Sequence, residues 1–336
     1  MWLVGWLGCV ASTDGDRRRP PEPWVPPDPP DTTFTVPTDD SAHSGHTGGA
    51  PTGDSGLPDP CALVPRVPKG VRAVSAVPTS EEFAFDAVGN VVNATEASGV
   101  SITDFAGAGT VVSPGGSWEY AGIRITPDGA KATLCDEGRG TIQQVDLATG
   151  AREDVLSIPG PNSIGWDVHG RLWIGSNSQL LRFDPAVGGS PTVVVDRPGA
   201  DIDGVTFSPD FLTVYFNDDT GGDIGRVDLD ADGEVIGGSV HASLAGVFAG
   251  GGELDGMTTD VCGNLYVVRT NGELTRIWSD GTEQRLVAAT GNWTTAVSFG
   301  SGVGGWERDR LYVMDRVNGL WELDVGVEGR PEPHLP

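Results

Sequence analysis

The chain of 336 residues has no long stretch of helical periodicity, no run of the ~20 apolar residues a spanning helix needs, and few basic residues, 21 against 47 acidic. The first absence argues against helical bundles and alternating α/β folds. The second leaves an attached anchor as the route to a membrane. The third gives a formal net charge of −26, and a surface that acidic repels phosphate backbones and anionic head groups, so nucleic-acid binding by charge is excluded. Cations are the partners it favours. Cysteine is scarce too: Cys9, Cys61, Cys135 and Cys262 show no CxxC or Cys/His spacing, so zinc has no framework here. In an exported chain one disulfide among Cys61, Cys135 and Cys262 is expected, with one thiol left over, and the sequence does not choose the pair.

Glycine (50) and proline (25) are plentiful, and eleven of the prolines fall within residues 10–60 among Thr, Ser, Gly and Asp. Such a stretch has too little apolar surface to offset the entropy of ordering, so residues 10–60 read as a disordered linker. Two histidines there, His43 and His46, read as incidental. Ahead of the linker, residues 1–9 (MWLVGWLGC) end in Leu-Gly-Cys, as a bacterial lipoprotein processing site does, with Cys9 as the lipidated residue. Eight residues are short for an export signal, so the segment is read as truncated. The expectation is an exported outer-membrane or cell-surface lipoprotein, touching the membrane only through its N-terminal lipid anchor.

Residues 61–336 repeat. The units EEFAFDAVGN, YAGIRITPDG, NSIGWDVHG, DGVTFSPD, DGMTTDVCGN and TAVSFGSG align on Phe85, Ile125, Trp166, Phe207, Thr259 and Phe299, with spacings of 40, 41, 41, 52 and 40. Each continues through a Gly or Pro-Asp turn into a second alternating strand such as NLYVVR or RLYVMD, then a third, and usually a fourth. Six four-stranded antiparallel units make an all-β, six-bladed β-propeller, here preceded by the linker. VRAVSAV (Val71–Val77) has no sheet of its own and is expected to close the ring as the outer strand of the last blade. A seventh blade hidden in the long fourth unit, or a β-sandwich, are the rival architectures.

In every unit the residue four positions before the anchor falls at the start of the innermost strand. These residues are Glu81, Ala121, Asn162, Asp203, Asp255 and Thr295. Equivalent positions converge at one mouth of a propeller channel, so Glu81, Asn162, Asp203 and Asp255 bring three carboxylates and an amide oxygen together. Repelling carboxylates at close range are costly unless protonated or bridged by a cation, and oxygen-only donors suit a hard divalent ion, Ca²⁺ before Zn²⁺. Asp-Gly and Asn are also ordinary turn residues before a strand, but Ala121 and Thr295 in the same register show that the turn does not require an acid. A second ring, at the ends of the second strands, comprises Thr95, Asp136, Ser176, Asp218, Arg269 and Asp315. Asp218 and Arg269 are its candidates for substrate binding, Arg269 as its only cation.

The units GELDGMTTDVCGNLYVVRTNGELTRI, TTAVSFGSG and RLYVMDRVNGLWELDVGVEG resemble the gluconolactonase/regucalcin (senescence marker protein) family of six-bladed propellers over about residues 77–329, and more distantly strictosidine synthase-like and paraoxonase-like propellers. The resemblance implies a divalent metal held by Glu81, Asn162, Asp203 and Asp255, a lactone carbonyl polarised by it, and Asp255 as the base for the attacking water. Two departures stand out. Asp203 replaces an Asn of the family pattern, which adds a negative charge. Gly160-Pro161-Asn162 lacks the Arg found two residues before the Asn in substrate-binding members, which speaks against sugar lactones. No His lies in either ring, so a His-based lyase or paraoxonase mechanism has no candidate.

DLDADGE (Asp228–Glu234) begins like a calcium loop but has Ser239 where the loop's closing Glu belongs, and reads as a turn. The expected function is a monomeric, metal-dependent hydrolase of a small-molecule lactone or ester. The alternative is a non-catalytic cell-surface propeller with a structural ion that binds a protein or glycan.

Overall fold

The computed structural model describes residues 60–335, apart from 75–76, 96–97, 117–119, 245–251, 288–290 and 292. Cys9, His43, His46 and most of the linker stretch lie outside the described residues. A short 3-10 turn (Pro60–Leu63) precedes β1 (Val71–Val74). Blade one holds β2 (Phe83–Phe85), β3 (Val91–Thr95), β4 (Gly99–Thr103) and β5 (Gly109–Ser113). Blade two holds β6 (Tyr120–Ile125), β7 (Lys131–Asp136), β8 (Thr141–Asp146) and β9 (Arg152–Ser157). Blade three follows with β10 (Pro161–Trp166), β11 (Leu172–Ser176), β12 (Gln179–Phe183) and β13 (Thr192–Asp196). Blade four is β14 (Ile202–Phe207), β15 (Thr213–Asp218), β16 (Asp223–Leu229) and β17 (Val235–Ser243). Blade five is β18 (Leu254–Thr259), β19 (Leu265–Arg269), β20 (Leu274–Ile277) and β21 (Glu283–Val287). Blade six is β22 (Thr294–Phe299), β23 (Arg310–Asp315) and β24 (Gly319–Asp324), completed by β1.

Each blade is a four-stranded antiparallel sheet whose first strand touches the first strands of both neighbouring blades, from β2 round to β22 and back. This is a closed six-bladed propeller, and all six anchors from Phe85 to Phe299 are the last residues of innermost strands. The seventh blade and the sandwich are thereby set aside. The spacing of 52 comes from the nine-residue β17 and the segment after it.

Closure works as the unpaired VRAVSAV stretch requires. β1 pairs antiparallel with β24, Val71 opposite Leu323 and Val74 opposite Leu320. Arg72 grips Glu322 with two hydrogen bonds of 2.9 and 2.7 Å across that pair. The 3-10 turn is tied separately to blade five by a Cys61–Cys262 disulfide, whose ends are 201 positions apart in sequence. Cys135 is the buried free thiol. Cross-linking so long a loop restricts the unfolded chain and contributes about 2–4 kcal/mol.

The apolar core lies between blades. Trp173 and Leu180 of blade three pack on Ile202, Val205 and Phe207 of blade four, and Tyr266 and Val268 of blade five pack on Val297, Phe299 and Leu311 of blade six. Period-2 alternation produces this, since each blade offers one set of side chains to each neighbour.

The channel end at the C-termini of the innermost strands is covered by the chain's last residues. Arg330 donates its backbone N–H to Thr259 O (2.9 Å) and its Nε to Thr259 Oγ1 (3.2 Å), and its guanidinium stacks on Phe211 at 4.6 Å. His334 Nε2 shares a hydrogen bond of 2.7 Å with Phe85 O on the far side. Beneath that cover, Arg124 NH1 meets Glu82 Oε1 at 2.6 Å, and Glu82 Oε2 accepts from the Ile123 N–H at 2.7 Å.

Candidate metal and substrate site

At the opposite end, the innermost strands share an irregularity that strand alternation alone does not announce. In β6, β10, β14 and β18 three residues span what two span on the partner strand, the pairing jumping from Tyr120 to Ile123, Pro161 to Ile164, Ile202 to Val205 and Leu254 to Met257. One extra residue likewise lies between Thr294 and Ala296 of β22. Ala121, Asn162, Asp203, Asp255 and Thr295 all sit inside these bulges, and a bulge re-aims a side chain and breaks the ladder locally. Glu81 lies two residues ahead of β2.

Glycine after the bulged residue lets the blades close in. A Cβ on Gly204 would stand 2.8 Å from Asp255 O, and one on Gly256 2.7 Å from Thr295 O. Each of these two glycines therefore packs on the ring residue of the next blade. Asn217 of β15, fully buried, fixes the arrangement: its Oδ1 accepts from the N–H groups of Asp203 (3.2 Å) and Gly204 (2.7 Å), and its Nδ2 donates to Asp255 O. The sequence reading passed over Asn217, and the Asp-Gly repeats were the available clue to the bulges.

Glu81, Asn162, Asp203 and Asp255 border one small pocket, with Ala121 and Glu82 beside them. Thr295 is near but serves the backbone, its Oγ1 donating to Glu81 O at 2.5 Å. Among the described residues nothing donates a hydrogen bond to the Asp203 carboxylate or to the Asn162 side-chain oxygen. Asp255 Oδ1 accepts only from the Gly256 N–H, at 2.9 Å. Burial, then the charges of Asp203 and Glu81, hold the Asp255 carboxyl well above the usual carboxylate range. Asp203 keeps some surface open to the channel, but it lies deep within it, and burial followed by Glu81 raises its carboxyl too. Glu81 is pushed up to about 7 by burial, against the pull of Arg316 and with a further push from Glu82.

Whether these residues fit a metal has two sides. The donor chemistry does fit: oxygen ligands only, three of them mutually repelling carboxylates that a divalent cation would relieve. The placement does not yet do so. Among the described residues no group of three or more His, Cys, Asp or Glu side chains stands where it could hold a metal ion. Glu81 is turned aside, its Oε2 paired with Arg316 NH1.

Next to this pocket opens a larger cleft of about 890 Å³, bordered by Thr79, Ser80, Thr95, Tyr120, Glu137 and Arg316. Of the second ring only Thr95 reaches it. Asp218 instead caps its own hairpin, accepting from Gly221 N and Thr220 Oγ1, both at 2.9 Å. Arg269 is buried and donates to Gly252 O (2.7 Å) and Leu244 O (3.2 Å). Asp315 likewise accepts from Val317 N (2.9 Å) and Asn318 N (2.6 Å). The DLDADGE stretch is the β16–β17 turn, with Asp230 capping Asp232 N and Glu234 N.

The family model described as "SMP-30/Gluconolactonase/LRE-like region" matches residues 160–315, the stretch that carries Asn162, Asp203 and Asp255. That match spans 156 of the 336 residues, a little under half of the chain. The resemblance read from the repeat motifs stands. Among solved structures, the chain is similar to a regucalcin of Agrobacterium tumefaciens, described as a calcium-binding protein (24% identity, 80% of this chain and 98% of that one, TM-score 0.64). It is also similar to a gluconolactonase of Xanthomonas campestris (19%, 76% and 89%, 0.63) and to a virginiamycin B lyase of Staphylococcus aureus (14%, 72% and 79%, 0.54). At these identities the likeness establishes the propeller fold alone. A search of curated protein sequences found no match.

Proposed function

We propose that this gluconolactonase-like propeller is a divalent-metal-dependent hydrolase of a lactone or other small ester, with Ca²⁺ as the metal and Glu81, Asn162, Asp203 and Asp255 as its ligands. One observation carries this: four oxygen-bearing side chains from four blades border one pocket, and the Asp203 carboxylate there has no hydrogen-bond donor among the described residues. When bound, the cation supplies Lewis acidity toward an ester carbonyl. The chain's own residues do the rest. Asp255, held in place by Asn217 through its backbone, takes the proton of an attacking water and returns it to the leaving alcohol oxygen as the ester bond breaks. The adjoining cleft receives the remainder of the substrate.

The extra carboxylate at Asp203 favours a second reading, in which the ion is structural and the propeller binds a protein or glycan, because added negative charge tightens a cation while weakening its Lewis acidity. Export fits either reading. The Cys61–Cys262 disulfide and the Leu-Gly-Cys at Cys9 support a cell-surface lipoprotein. Initial rates on a panel of lactones and esters with Ca²⁺, Mn²⁺ or Zn²⁺, repeated after chelation, test the proposal. Metal-dependent turnover is expected, and its absence on every substrate would leave the non-catalytic reading.

A further inference from the structure

We propose that Arg316 is the anion-binding residue of the cleft and that Glu81 is a shared ligand, held by Arg316 until a divalent cation draws it into the ring. The substrate class narrows accordingly to lactones or esters bearing a carboxylate or similar acidic group, a narrowing that rests on the hydrolase reading above.

Arg316 follows β23 directly, in a hairpin turn anchored by Asp315. Its backbone N–H donates to Trp293 O at 2.9 Å, and its guanidinium lies over the Trp293 ring at 4.6 Å. A cation over an indole face is attracted to it, so the arm keeps its direction without Glu81. The side chain is 41% exposed, against 22% for Glu81, and it borders the cleft together with Thr79, Ser80 and Tyr120. Among the described residues it is the only Arg or Lys on that border.

Glu81 is the one carboxylate of the ring that already has a cation. Arg316 neutralises it from the rim, while Asp203 and Asp255, deeper in the channel, have no cationic partner among the described residues. A divalent ion placed among all three meets two charges that Arg316 does not reach, so Glu81 gains by moving inward. The guanidinium then faces the cleft with one carboxylate fewer and its planar fork available, the geometry that suits a bidentate carboxylate.

Trp293 reports the exchange. Ca²⁺ alone, titrated into the full chain, is expected to change the tryptophan emission of the wild type. That change should vanish in Trp293→Phe and Arg316→Gln while calorimetry still registers Ca²⁺ binding in both. Tetrahydrofuran-2-carboxylate, which cannot be hydrolysed, is expected to bind the Ca²⁺-loaded protein at least tenfold more tightly than its carboxamide. The preference should disappear in Arg316→Gln and in EDTA. Ca²⁺ binding without a Trp293-dependent signal would mean that Glu81 bridges ion and arginine or stays put, and would overturn the exchange, as would a failure to bind Ca²⁺. A carboxylate preference that persists in Arg316→Gln would overturn the anion site. If both responses appear and no lactone or ester is turned over, the exchange stands and only the hydrolase reading falls.

Discussion

Glu81 and Glu82 are neighbours in the chain and both border the ring pocket, yet their partners lie toward opposite ends of one channel. Glu82 points into the lower half, where it meets Arg124 and the Ile123 N–H, and below it Arg330 pairs with Glu332 at 2.7 Å. Glu81 points to the mouth, where its partner is a half-exposed arginine on the rim and the two acids beyond it, Asp203 and Asp255, push against each other. Burial alone does not distinguish the ends, since carboxylates at both are raised by it. Pairing does. A buried charge with a partner at hydrogen-bond distance is a structural element, and a buried charge without one is a vacancy for a ligand.

The contrast can be broken most sharply at Asp255. Replacing it by Asn should lower metal-dependent turnover by about 100- to 10,000-fold, the range for loss of a positioned base, while raising the melting temperature of the chelated protein. Steady-state rates and thermal unfolding in EDTA check the two arms, and a loss of stability instead would place Asp255 among the structural acids. Arg124→Met should act the other way. It strands Glu82 in the channel and should cost about 3–5 kcal/mol in denaturant unfolding, with no loss of Ca²⁺ affinity in the folded protein.

Proton linkage offers a third comparison. With its folded pKa near 7 and an unfolded value near 4.5, Glu81 is protonated in the folded chain and ionised in the unfolded one between those limits. Its stabilising contribution is complete below pH 4.5 and lost as the pH rises through 7, on the order of 3 kcal/mol for a shift of that size. Asp203 and Asp255 act in the same direction. Chelated protein should therefore melt at lower temperature at pH 7.5 than at pH 5, and saturating Ca²⁺ should remove most of the difference. The smallest effect is expected at Thr295. Thr295→Val deletes the hydrogen bond to Glu81 O, which should cost about 1 kcal/mol and weaken Ca²⁺ binding only slightly, measurable by calorimetry.

The blade count, the six anchors, the closing strand and the ring positions were all legible, because a repeat of about forty residues with period-2 alternation leaves few other architectures. Three things were not. The bulges add one residue to an innermost strand without disturbing the apolar alternation that flags it, so only the Gly after Ala121, Asp203 and Asp255 hinted at them. In the second ring only Thr95 borders the cleft, while Asp218 and Asp315 cap turns and Arg269 ties two backbone carbonyls. There the clue was local, since Asp218 and Asp315 are each followed within four residues by a turn Gly, and an aspartate so placed accepts from the N–H groups just ahead of it. The pairing of Arg316 with Glu81 joins residues 235 apart across the ring closure. No spacing rule in the chain encodes that contact.

The closure has a mechanical consequence. A pull on the chain ahead of Cys61 passes directly into blade five through the covalent link to Cys262, and it reaches blade six only along the strand order, where β1 would have to shear past β24 along its whole length. At the other terminus, the residues from Arg330 to His334 bridge Thr259 in blade five to Phe85 in blade one, spanning the sixth blade like a strap. Tension on the N-terminal side is thus divided between a covalent bond and a strand in shear, with the strap a third tie across the seam, and peeling the ring open one strand at a time has no free end from which to start.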